Sequence, residues 1–448
     1  MKPYTNLQHK KVLVLGLAKS GLAAAELLHD LGAFVTVNDA KPFEENKEAQ
    51  QLLEKGITVI CGRHPKDLLD EGFELVIKNP GIPYTNPIIS DAIARDISVW
   101  TEIELAYLVS EAPMIGITGS NGKTTTTTLV YDMLKEAQQQ PKIAGNIGTV
   151  ACGVAREVTP ANVIVTELSS FQLMGVSQFK PKIAVLLNLY DAHLDYHGTF
   201  EGYAEAKFAV TKQQDASDYF IYNADQQVVV EYAKRSKAQK IPFTTAGRSE
   251  QGISADATTI YWQGDAILSR DDIALPGEHN LQNILAAVAT CILLGCDIRP
   301  LQDVLAQFSG VKHRTQFVAT QHGIKWYNDS KATNCLATKS ALLAFTGPTI
   351  LLAGGLERQH SFEELGDALQ NVKAVIAFGE TKQRLANFMA TKGITTILVE
   401  DVKEAVDVAR TLATEGDTVL LSPACASWDQ YDSFEIRGDA FIDAVINQ

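Results

Sequence analysis

Short, strand-like apolar runs alternate with helical segments from one end of the chain to the other. Consecutive parallel strands need a crossover of a dozen or more residues, and the helical segments supply that length. The pattern therefore predicts an α/β protein with three doubly wound parallel sheets. The runs of the first sheet are 11–16, 34–39 and 74–80; those of the second are 114–119, 163–170, 182–189 and 219–225; those of the third are 324–330, 349–355, 374–380, 396–401 and 418–424.

The length of the chain agrees with three sheets. A chain of 448 residues is too long for one hydrophobic core and corresponds to about three domains of roughly 150 residues each. We place the predicted boundaries near residues 101 and 310, which gives the domains 1–101, 102–310 and 311–448. In sheets of this kind, ligands gather at the carboxyl ends of the strands, so the residues that follow each run are candidates for function.

Composition and charge exclude several classes of protein. The apolar fraction is 46 % and no apolar stretch approaches ~18 residues, so a membrane span is not expected. The start of the chain has no apolar signal core, and the six cysteines form no C-x-x-C pair, which favours a reduced, cytoplasmic protein. A net charge of −14 disfavours a nucleic-acid groove, although a few local cations suffice to bind an anionic substrate.

The segment TGSNGKT at 118–124 joins a strand-like run to a helical one. The strict phosphate-loop pattern requires a glycine at position 117, where this chain has Ile117. The remaining features still suit a nucleoside triphosphate, because Gly119 and Gly122 turn backbone amides toward an anion and Lys123 adds a positive charge. Thr124 offers a hydroxyl to Mg²⁺. The alternative is a glycine-rich turn with a capping threonine.

Acidic and histidine residues follow two later strands of the same domain. Glu167 ends one run, where a carboxylate suits Mg²⁺ beside the phosphate loop. Asp191, His193, Asp195 and His197 follow another run and form either a solvated loop or part of a metal site. Because no cysteine joins them, and metals bound to phosphate favour oxygen ligands, we expect Mg²⁺ rather than zinc.

The first domain carries a partial dinucleotide fingerprint. GLAKSG at 16–21 follows a strand and opens a helix, and Asp39 closes the next strand, but Ala18 replaces the middle glycine. Two interpretations remain: a plain βαβ unit, or a nucleotide diphosphate held at the helix N-terminus near Asp39. The rigid turn NPGIP at 79–83 would border the same ligand.

Several of these segments together resemble the Mur ligase family. The segments are TGSNGKT (118–124), AGNIG (144–148), ELSSFQL (167–173), PGEHNLQN (276–283) and NDSKATN (328–334). The tail LSPACASWDQYDSFEIRG (421–438) is similar to that of the D-glutamate-adding branch, and the resemblance covers about residues 10 to 440. It implies a Rossmann-like UDP-sugar-binding domain (1–101), a central P-loop-type ATPase domain (102–310) and a Rossmann-like amino-acid-binding domain (311–448).

The resemblance also implies an activity. In this family ATP phosphorylates a substrate carboxylate, and an incoming amine displaces the phosphate to form an amide. The substrates of the D-glutamate-adding branch are UDP-N-acetylmuramoyl-L-alanine and D-glutamate, with ATP and two Mg²⁺ ions. Such chemistry depends on positioning and on neutralising crowded negative charge.

Residue roles follow from the same resemblance. The ATP set comprises Gly119, Ser120, Asn121, Gly122, Lys123, Thr124, Thr125, Asn280, Asn283, Arg314 and Asp329. The metal set comprises Thr124, Glu167, His193 and Lys207, with Lys207 as a carbamylated lysine. The catalytic set comprises Lys123, His193, Lys207 and Lys331. Taken alone, Lys207 is equally an ordinary surface lysine, and Asn280 is equally a helix N-cap.

The substrate sets are implied in the same way. The UDP-sugar set comprises Ala18, Lys19, Ser20, Asp39, Lys41, Gly81, Asn146 and His193. The D-glutamate set comprises Thr333, Arg358, Ser427 and Phe434. Arg358 stands where the family has a lysine, and an arginine can grip a carboxylate with two bonds. Trp428 replaces a smaller apolar residue, and both Trp428 and Phe434 are equally interpretable as core aromatics.

Other functions remain as alternatives. The nearest are a Mur ligase that adds another amino acid and a folylpolyglutamate synthetase, but no D-N-P-R-like run of the diamino-acid-adding members occurs here. A non-catalytic nucleotide-dependent regulator would lack the loop and metal residues that this chain has. An NAD-dependent oxidoreductase is disfavoured by Ala18. We further expect a monomer whose third domain closes over the central one during ATP turnover.

Overall fold

The computed structural model of the chain describes residues 1–275, 277–359 and 361–447; the side chain of Asp195 is outside the described set. The chain forms two compact units. The first comprises Met1–Asp272 and Leu281–Val304, and the second comprises Ile273–Asn280 and Leu305–Gln448. The first unit carries two sheets and the second carries one.

The first sheet contains parallel strands in the order β3-β2-β1-β4-β5. Both faces are covered, so the central strands β1 and β4 are apolar except for Lys11 at the exposed start of β1 and Lys78 at the buried end of β4. The elements of this part of the chain are β1 (Lys11–Leu15), α1 (Lys19–Asp30), β2 (Phe34–Asp39), α2 (Lys47–Glu54), β3 (Thr58–Cys61), β4 (Leu75–Lys78), α3 (Pro87–Ala94), β5 (Ser98–Trp100) and α4 (Glu102–Val109).

The second sheet follows directly along the chain. Its strand order is β14-β13-β12-β11-β10-β9-β6-β8-β7. Its elements are β6 (Met114–Thr118), α5 (Lys123–Glu136), β7 (Gln140–Gly145), α6 (Ala151–Glu157), β8 (Asn162–Glu167), α7 (Ser170–Leu173), β9 (Ile183–Leu186), α8 (Leu194–His197), α9 (Phe200–Phe208), β10 (Tyr219–Asn223), α10 (Gln227–Ala233), β11 (Gln239–Thr244), β12 (Ile253–Ala255), β13 (Thr259–Trp262) and β14 (Asp265–Ser269), followed by α11 (Glu278–Leu293) and α12 (Ile298–Leu305).

The third sheet has the order β15-β16-β20-β17-β18-β19. Its elements are β15 (Gln316–Gln321), β16 (Ile324–Asn328), α13 (Cys335–Leu342), β17 (Thr349–Gly354), β18 (Val372–Phe378), α14 (Lys382–Thr391), β19 (Thr396–Leu398), α15 (Val402–Leu412), β20 (Thr418–Leu421) and α16 (Phe434–Ile446). Short 3-10 helices lie at Thr5–Leu7, Phe43–Glu45, Leu68–Glu71, Ala209–Thr211, Arg270–Asp272 and Glu363–Ala368.

The predicted α/β class with three sheets is confirmed, and every predicted run contains a strand. The prediction of purely parallel sheets is wrong at two edges, where β12, β13 and β14 pair antiparallel, as do β15 and β16. Two-residue hairpins at Gln263-Gly264 and His322-Gly323, whose residues all have positive φ, produce the β13–β14 and β15–β16 pairs, and the short segment 256–258 joins β12 to β13. Such turns match the twist of a hairpin, and an X-Gly dipeptide between polar-apolar strands is their signal.

Five interior strands of the second and third sheets are buried along their whole length: β6, β8, β9, β17 and β20. The packed core consequently holds the carboxyl ends of these strands in fixed positions. The loops that follow the strands therefore begin from fixed points. Among the helices that the structure describes, none is long and apolar enough to cross a membrane.

Candidate active site

The loop 119–122 connects buried strand β6 to the start of helix α5 at Lys123. Gly122 has φ +83°, and a Cβ atom there would overlap the Asn283 side-chain oxygen, so both backbone conformation and space require glycine. The N-terminus of α5 directs backbone N–H groups and the positive end of its dipole toward the loop. Thr124 and Thr125, the next two residues, are buried.

Asn188 holds the outer part of this loop. It follows β9 and accepts a hydrogen bond from Asn121 N at 2.8 Å, while its amide donates to Asn121 O at 3.2 Å. Ser120 N donates to Asn188 O at 3.0 Å, and the Ser120 hydroxyl lies 2.8 Å from the Tyr203 hydroxyl. The loop is therefore shaped by neighbouring strands and helices as well as by its own glycines.

Two lysines converge on one carbonyl of the loop. Lys123 Nζ and Lys207 Nζ each donate to Gly119 O at 2.8 Å, and Lys123 also reaches Ser120 O at 2.9 Å. Lys207 is 2 % exposed, which rules out the interpretation of an ordinary surface lysine. Burial lowers the pKa of Lys207 well below its ordinary value, the nearby Lys123 lowers it further, and Glu167 opposes both. The site favours a neutral amine at Lys207.

Glu167 ends strand β8 beside this loop and is 1 % exposed. Its Oε1 accepts a hydrogen bond from the Asn146 amide at 2.8 Å. Its Oε2 is buried and has no hydrogen-bond partner among the described residues. A buried carboxylate oxygen without a donor is costly unless a ligand or ion completes it, so the residue fits a Mg²⁺ ligand.

His193 precedes helix α8 with a left-handed backbone, φ +53°. Its ring lies 5.0 Å from the Phe171 ring and 6.4 Å from the Tyr203 ring. The neighbouring His197 is instead bonded to the Ser170 hydroxyl at 2.9 Å. The described side chains contain no group of three or more His, Cys, Asp or Glu that converges as a metal site, and the side chain of Asp195 is outside them. The interpretation of 191–197 as part of a metal site, with His193 as the ligand, therefore stays a prediction.

In the first sheet, the predicted UDP-sugar residues gather at the carboxyl ends of β1, β2 and β4. Asp39 accepts hydrogen bonds from Leu17 N at 2.7 Å and Lys41 N at 2.8 Å, which ties together the two strand ends. Asn79 donates to the Ser20 hydroxyl at 3.1 Å and accepts from Gly81 N at 3.1 Å. These bonds join helix α1 to the turn 79–83.

The remaining residues of that set lie at the start of α1 or nearby. Ala18 is the N-cap position of α1 and Lys19 is its first residue. Ala18, Lys19 and Lys41 are exposed, which leaves the two lysines in reach of an anion at the helix N-terminus. Asn146, predicted as a sugar contact, donates a hydrogen bond to Glu167, so it lies beside the predicted Mg²⁺ ligand.

In the second unit, Asp329 follows β16 and is 5 % exposed. Its Oδ2 accepts from the Ser422 hydroxyl at 2.7 Å and its Oδ1 from Thr315 N at 3.0 Å. Burial raises the pKa of Asp329 to about 7, against the opposing effect of these bonds and of Arg314. Lys331 Nζ lies 5.6 Å from the centre of the Phe434 ring. Arg314, Asp329 and Lys331 therefore occupy one region of this unit.

The predicted D-glutamate residues also lie in the second unit. Ser427 is buried, and Thr333 N donates to Lys331 O at 2.9 Å. The Arg358 guanidinium lies 4.9 Å from the centre of the Trp428 ring. Trp428 is 65 % exposed, so the interpretation of it as a core aromatic is wrong. Arg358 and Trp428, the two departures from the family pattern in the predicted D-glutamate pocket, are thus in contact with each other.

Helix α11 carries the predicted adenine-side asparagines, Asn280 and Asn283, and both are buried. The helix begins at Glu278, so the alternative of an N-cap role for Asn280 is wrong. Asn283 lies against Gly122 of the phosphate loop.

Three residues near the site received no role from the sequence. Asn188 and Tyr203 bind the phosphate loop, and Arg437 is a fully buried arginine that donates to Ser330 and to Cys425 O. The sequence pattern could have indicated Asn188, because it is a polar residue directly after a predicted strand, and Arg437, because it is a charged residue within the tail 421–438. No sequence pattern indicates Tyr203, because its role depends on a contact between its hydroxyl and Ser120 in a distant part of the chain.

Three family models match successive parts of the chain. They are "Mur ligase MurD-like, N-terminal domain" over residues 10–101, "Mur ligase middle domain" over 117–291, and "Mur ligase, glutamate ligase domain" over 313–425. Their limits agree with three domains, while the predicted boundaries at 101 and 310 stay a prediction.

Full-length relatives are similar over the whole chain. A protein of Geobacillus sp. (strain WCH70) is 57 % identical over 447 residues, and one of Halalkalibacterium halodurans is 54 % identical over 446 residues, each with 99 % of both chains covered. A Listeria monocytogenes protein (serotype 4b) is 54 % identical over 446 residues, covering 99 % of this chain and 98 % of its own. All three are named UDP-N-acetylmuramoylalanine--D-glutamate ligase.

Solved structures share the fold at much lower identity. The UDP-N-acetylmuramate-alanine ligase of Thermotoga maritima matches with a TM-score of 0.58 at 19 % identity, covering 98 % of this chain and 100 % of that one. The MurF ligase of the same organism, solved with ADP, matches with a TM-score of 0.57 at 18 % identity, covering 98 % and 95 %. These likenesses concern the fold alone.

Proposed function

Because the chain belongs to the Mur ligase family, we propose that it joins D-glutamate to UDP-N-acetylmuramoyl-L-alanine through an amide bond, with ATP converted to ADP and phosphate. Membership of this family implies the use of ATP. The choice of D-glutamate is supported by full-length relatives that carry the name of that ligase. The reaction belongs to peptidoglycan precursor synthesis, and we propose that it takes place in the cytoplasm, in a monomeric enzyme.

The observation that carries the proposal is the buried cluster around Gly119 O. It combines two lysine amines on one carbonyl, the N-terminus of α5 and a carboxylate with an oxygen that lacks a donor. A triphosphate brings several negative charges, and a carboxylate substrate adds another. A site with the Lys123 cation, helix N–H groups and proposed metal ligands is suited to hold these charges side by side.

In the proposed reaction, a carboxylate oxygen of the sugar nucleotide attacks the γ-phosphorus and the bond to ADP breaks. The amine nitrogen of D-glutamate then attacks the acyl carbon, phosphate leaves, and the nitrogen loses a proton. Lys123 and the α5 N-terminus hold the β- and γ-phosphates, while Arg314 and Lys331 contribute from the second unit. Holding three reactants in line accounts for much of the expected acceleration.

Two Mg²⁺ ions fit the residues present. Thr124 and Glu167 would hold the first ion, and His193 together with the carbamate of Lys207 would hold the second. The unpartnered Glu167 Oε2 supports this assignment. When bound, Mg²⁺ would neutralise charge on the transferring phosphoryl group.

The low pKa of Lys207 supports its proposed carbamylation. A neutral Lys207 amine attacks the carbon of CO₂ and one proton is released, so the buried uncharged nitrogen becomes an anionic carbamate. The carbamate anion is then attracted by the Lys123 ammonium group. Labelling the enzyme with ¹³C-bicarbonate and recording its carbon NMR spectrum should give a carbamate signal that disappears in Lys207→Arg.

The contact between Arg358 and Trp428 supports a carboxylate clamp for D-glutamate. The ring would hold the planar guanidinium in one orientation and partly desolvated, ready for a two-bond contact with the substrate carboxylate. Replacing Arg358 by alanine should raise the KM for D-glutamate about a hundredfold, and Trp428→Leu should raise it about fivefold. Steady-state kinetics with D-glutamate varied would measure both. Equal KM values in wild type and Arg358→Ala would remove Arg358 from the pocket.

The decisive experiment measures phosphate release from ATP in the presence of UDP-N-acetylmuramoyl-L-alanine and one amino acid at a time. The panel is D-glutamate, L-glutamate, L-alanine and L-lysine, with mass spectrometry of the product. Release that depends on D-glutamate is the expected result. Release with another amino acid would retain the ligase chemistry and reject the D-glutamate pocket, whereas no release with any of them would favour the nucleotide-dependent regulator.

A further inference from the structure

The turn 79–83, which borders the proposed UDP-sugar subsite, is held from two domains of the first unit. One contact comes from Lys78, the last residue of β4 in the first sheet. The other comes from Tyr196 on α8, next to the second sheet. Neither residue has a role in the function proposed above.

Lys78 is 1 % exposed, an uncommon environment for a lysine. Its Nζ donates to Asn79 O at 3.3 Å, Pro80 O at 3.1 Å and the Tyr196 hydroxyl at 3.4 Å, and lies 4.9 Å from the centre of the Tyr84 ring. An ammonium group has three donors, so these three acceptors match it. Burial lowers the pKa of Lys78 to about 8, and the amine can still be protonated near neutral pH.

Tyr196 completes the contact from the other side. Its hydroxyl lies 3.0 Å from Ile82 O and 3.3 Å from Pro80 O, so its single proton serves one of the two carbonyls at a time. Asn79, in the same turn, donates to the Ser20 hydroxyl at the start of α1. The turn is thus bound both to the proposed diphosphate site and to α8.

Tyr196 is also packed close to the proposed metal ligand. The Phe171 ring lies 4.6 Å from the Tyr196 ring and 5.0 Å from the His193 ring, both edge-on. The Tyr84 hydroxyl donates to Met174 O, directly after the helix that carries Phe171. One contiguous group of contacts therefore connects the turn 79–83 to His193.

We propose that Tyr196, supported by Lys78, is a positioning residue for the sugar-nucleotide substrate: it fixes the turn 79–83 against α8 and so sets the distance between the UDP-sugar subsite and His193. The inference rests on the proposed function, since it concerns the same substrate. The substrate must reach from the diphosphate site at α1 to the phosphate loop, and both ends of that span belong to parts of the chain that Tyr196 and Lys78 join.

The consequence is specific to one substrate. Tyr196→Phe keeps the ring against Phe171 but leaves the carbonyls of Pro80 and Ile82 and the Lys78 amine with one partner fewer. Loosening of the turn should raise the KM for the sugar nucleotide about fivefold to tenfold, the expected effect of losing one buried hydrogen bond. The KM for ATP should stay within about twofold, because the contacts of the phosphate loop are unchanged.

The test compares two matched pairs of variants. Tyr196→Phe and Lys78→Met change the proposed contact. Tyr219→Phe and Lys182→Met change a second tyrosine–lysine pair, with Lys182 Nζ 5.6 Å from the centre of the Tyr219 ring, at the amino end of β10 and away from the site. The readouts are KM for each substrate, kcat, the affinity for UDP-N-acetylmuramoyl-L-alanine by calorimetry without ATP, and the thermal midpoint.

The expected result is a raised KM and a weakened calorimetric affinity for the sugar nucleotide in the first pair alone, with kcat and the KM for ATP nearly unchanged. Equal affinities in Tyr196→Phe and wild type would overturn the inference. So would a uniform loss of all activities that follows the thermal midpoint. Wild-type enzyme without D-glutamate-dependent phosphate release would instead reject the proposed function, while the calorimetric comparison would still report on the contact itself.

Discussion

At the scale of single residues, the site depends on burial of groups that water would otherwise solvate. Lys207 carries an amine in a space that disfavours its cation, and Glu167 carries an oxygen without a donor among the residues that the structure describes. Each is costly in isolation. The proposed carbamate on Lys207 and the proposed metal ions would remove both costs.

The hydrogen bond from Asn146 to Glu167 gives the first prediction. Asn146→Ala removes the donor that orients the Glu167 carboxylate at 2.8 Å. Residues that orient a metal ligand typically contribute tenfold to a hundredfold in metal affinity, so the Mg²⁺ concentration for half-maximal activity should rise by about that factor. Titrating phosphate release with Mg²⁺ would measure it.

A matched control for this variant is Asn162→Ala. Asn162 begins strand β8, the strand that Glu167 ends. Its side-chain amide donates to Gln140 O, away from the site. Its Mg²⁺ dependence should equal that of wild type. An unchanged Mg²⁺ titration in Asn146→Ala, with a raised KM for the sugar nucleotide, would restrict Asn146 to the predicted sugar contact.

Glu102 gives a prediction about stability. It is 1 % exposed, and burial raises its pKa from 4.5 to about 7 despite a hydrogen bond from Cys152 N at 3.0 Å. Because the native state binds this proton more tightly than the unfolded chain, the contribution to stability is complete below pH about 4.5 and is lost as the pH rises through about 7. Between those values the free energy of unfolding should fall by about 3 kcal/mol through this group.

Urea denaturation at several pH values would test this, with Glu102→Gln as the variant. Glutamine stays neutral, so the variant should gain stability relative to wild type as the pH increases from about 5 to about 8. Glu136→Gln, at an exposed position in α5, should follow the wild-type profile. Parallel profiles for Glu102→Gln and wild type would show that Glu102 is ionised in the folded protein throughout.

At the scale of elements, the phosphate loop is recognised from a local sequence pattern, but its shape also depends on hydrogen bonds from a residue outside that pattern. Its glycines permit the turn, and Asn188 holds Asn121 through both of its backbone polar groups. The strand that ends before Asn188 is neighbour to β6 in the sheet, so the pairing of β6 with β9 places this side chain at the loop. The same pairing places Leu187 N on Thr118 O.

Asn188→Ala should accordingly weaken ATP binding. The variant leaves two backbone groups of Asn121 without the Asn188 side chain as a partner, and the two bonds together contribute about 1.4 kcal/mol, so the KM for ATP should rise about tenfold. Nucleotide titration by calorimetry and steady-state kinetics would check this. Asn371→Ala, an exposed asparagine of the second unit that donates to Phe345 O, should leave the KM for ATP unchanged. A tenfold change in that control as well would assign the effect to general destabilisation.

At the scale of the whole molecule, the predicted ATP residues are divided between the two compact units. Lys123 and Glu167 belong to the first, whereas Arg314, Asp329 and Lys331 belong to the second. Each unit has its own sheets and core. If the proposed reaction uses the predicted ATP residues of both units, residues of both units must bind the same ATP molecule during turnover.

Small-angle scattering should detect this requirement. Addition of a non-hydrolysable ATP analogue, Mg²⁺ and UDP-N-acetylmuramoyl-L-alanine should reduce the radius of gyration, because the ligands would be bound by residues of both units. Arg314→Ala should require a higher analogue concentration for the same change. A profile that is identical with and without saturating ligands would contradict closure.

The sequence by itself determined the class of fold, the positions along the chain of the strands that carry the site, and the family. These features follow from spacing along the chain: the alternation of strand and helix periods, the glycines before Lys123, and the tail 421–438. It also indicated the antiparallel edges, in Gln263-Gly264 and His322-Gly323, although the prediction of parallel sheets overlooked these dipeptides.

Only the tertiary structure decided what depends on proximity through space. The convergence of Lys123 and Lys207 on Gly119 O, the exposure of Trp428 beside Arg358, and the contact of Lys78 with Tyr196 join residues distant in sequence. Burial and pKa values follow from such neighbours, since they report the dielectric surroundings and charges that the fold assembles. A pattern in one chain records which residues are adjacent along it, whereas the chemistry of this site is set by those that become adjacent on folding.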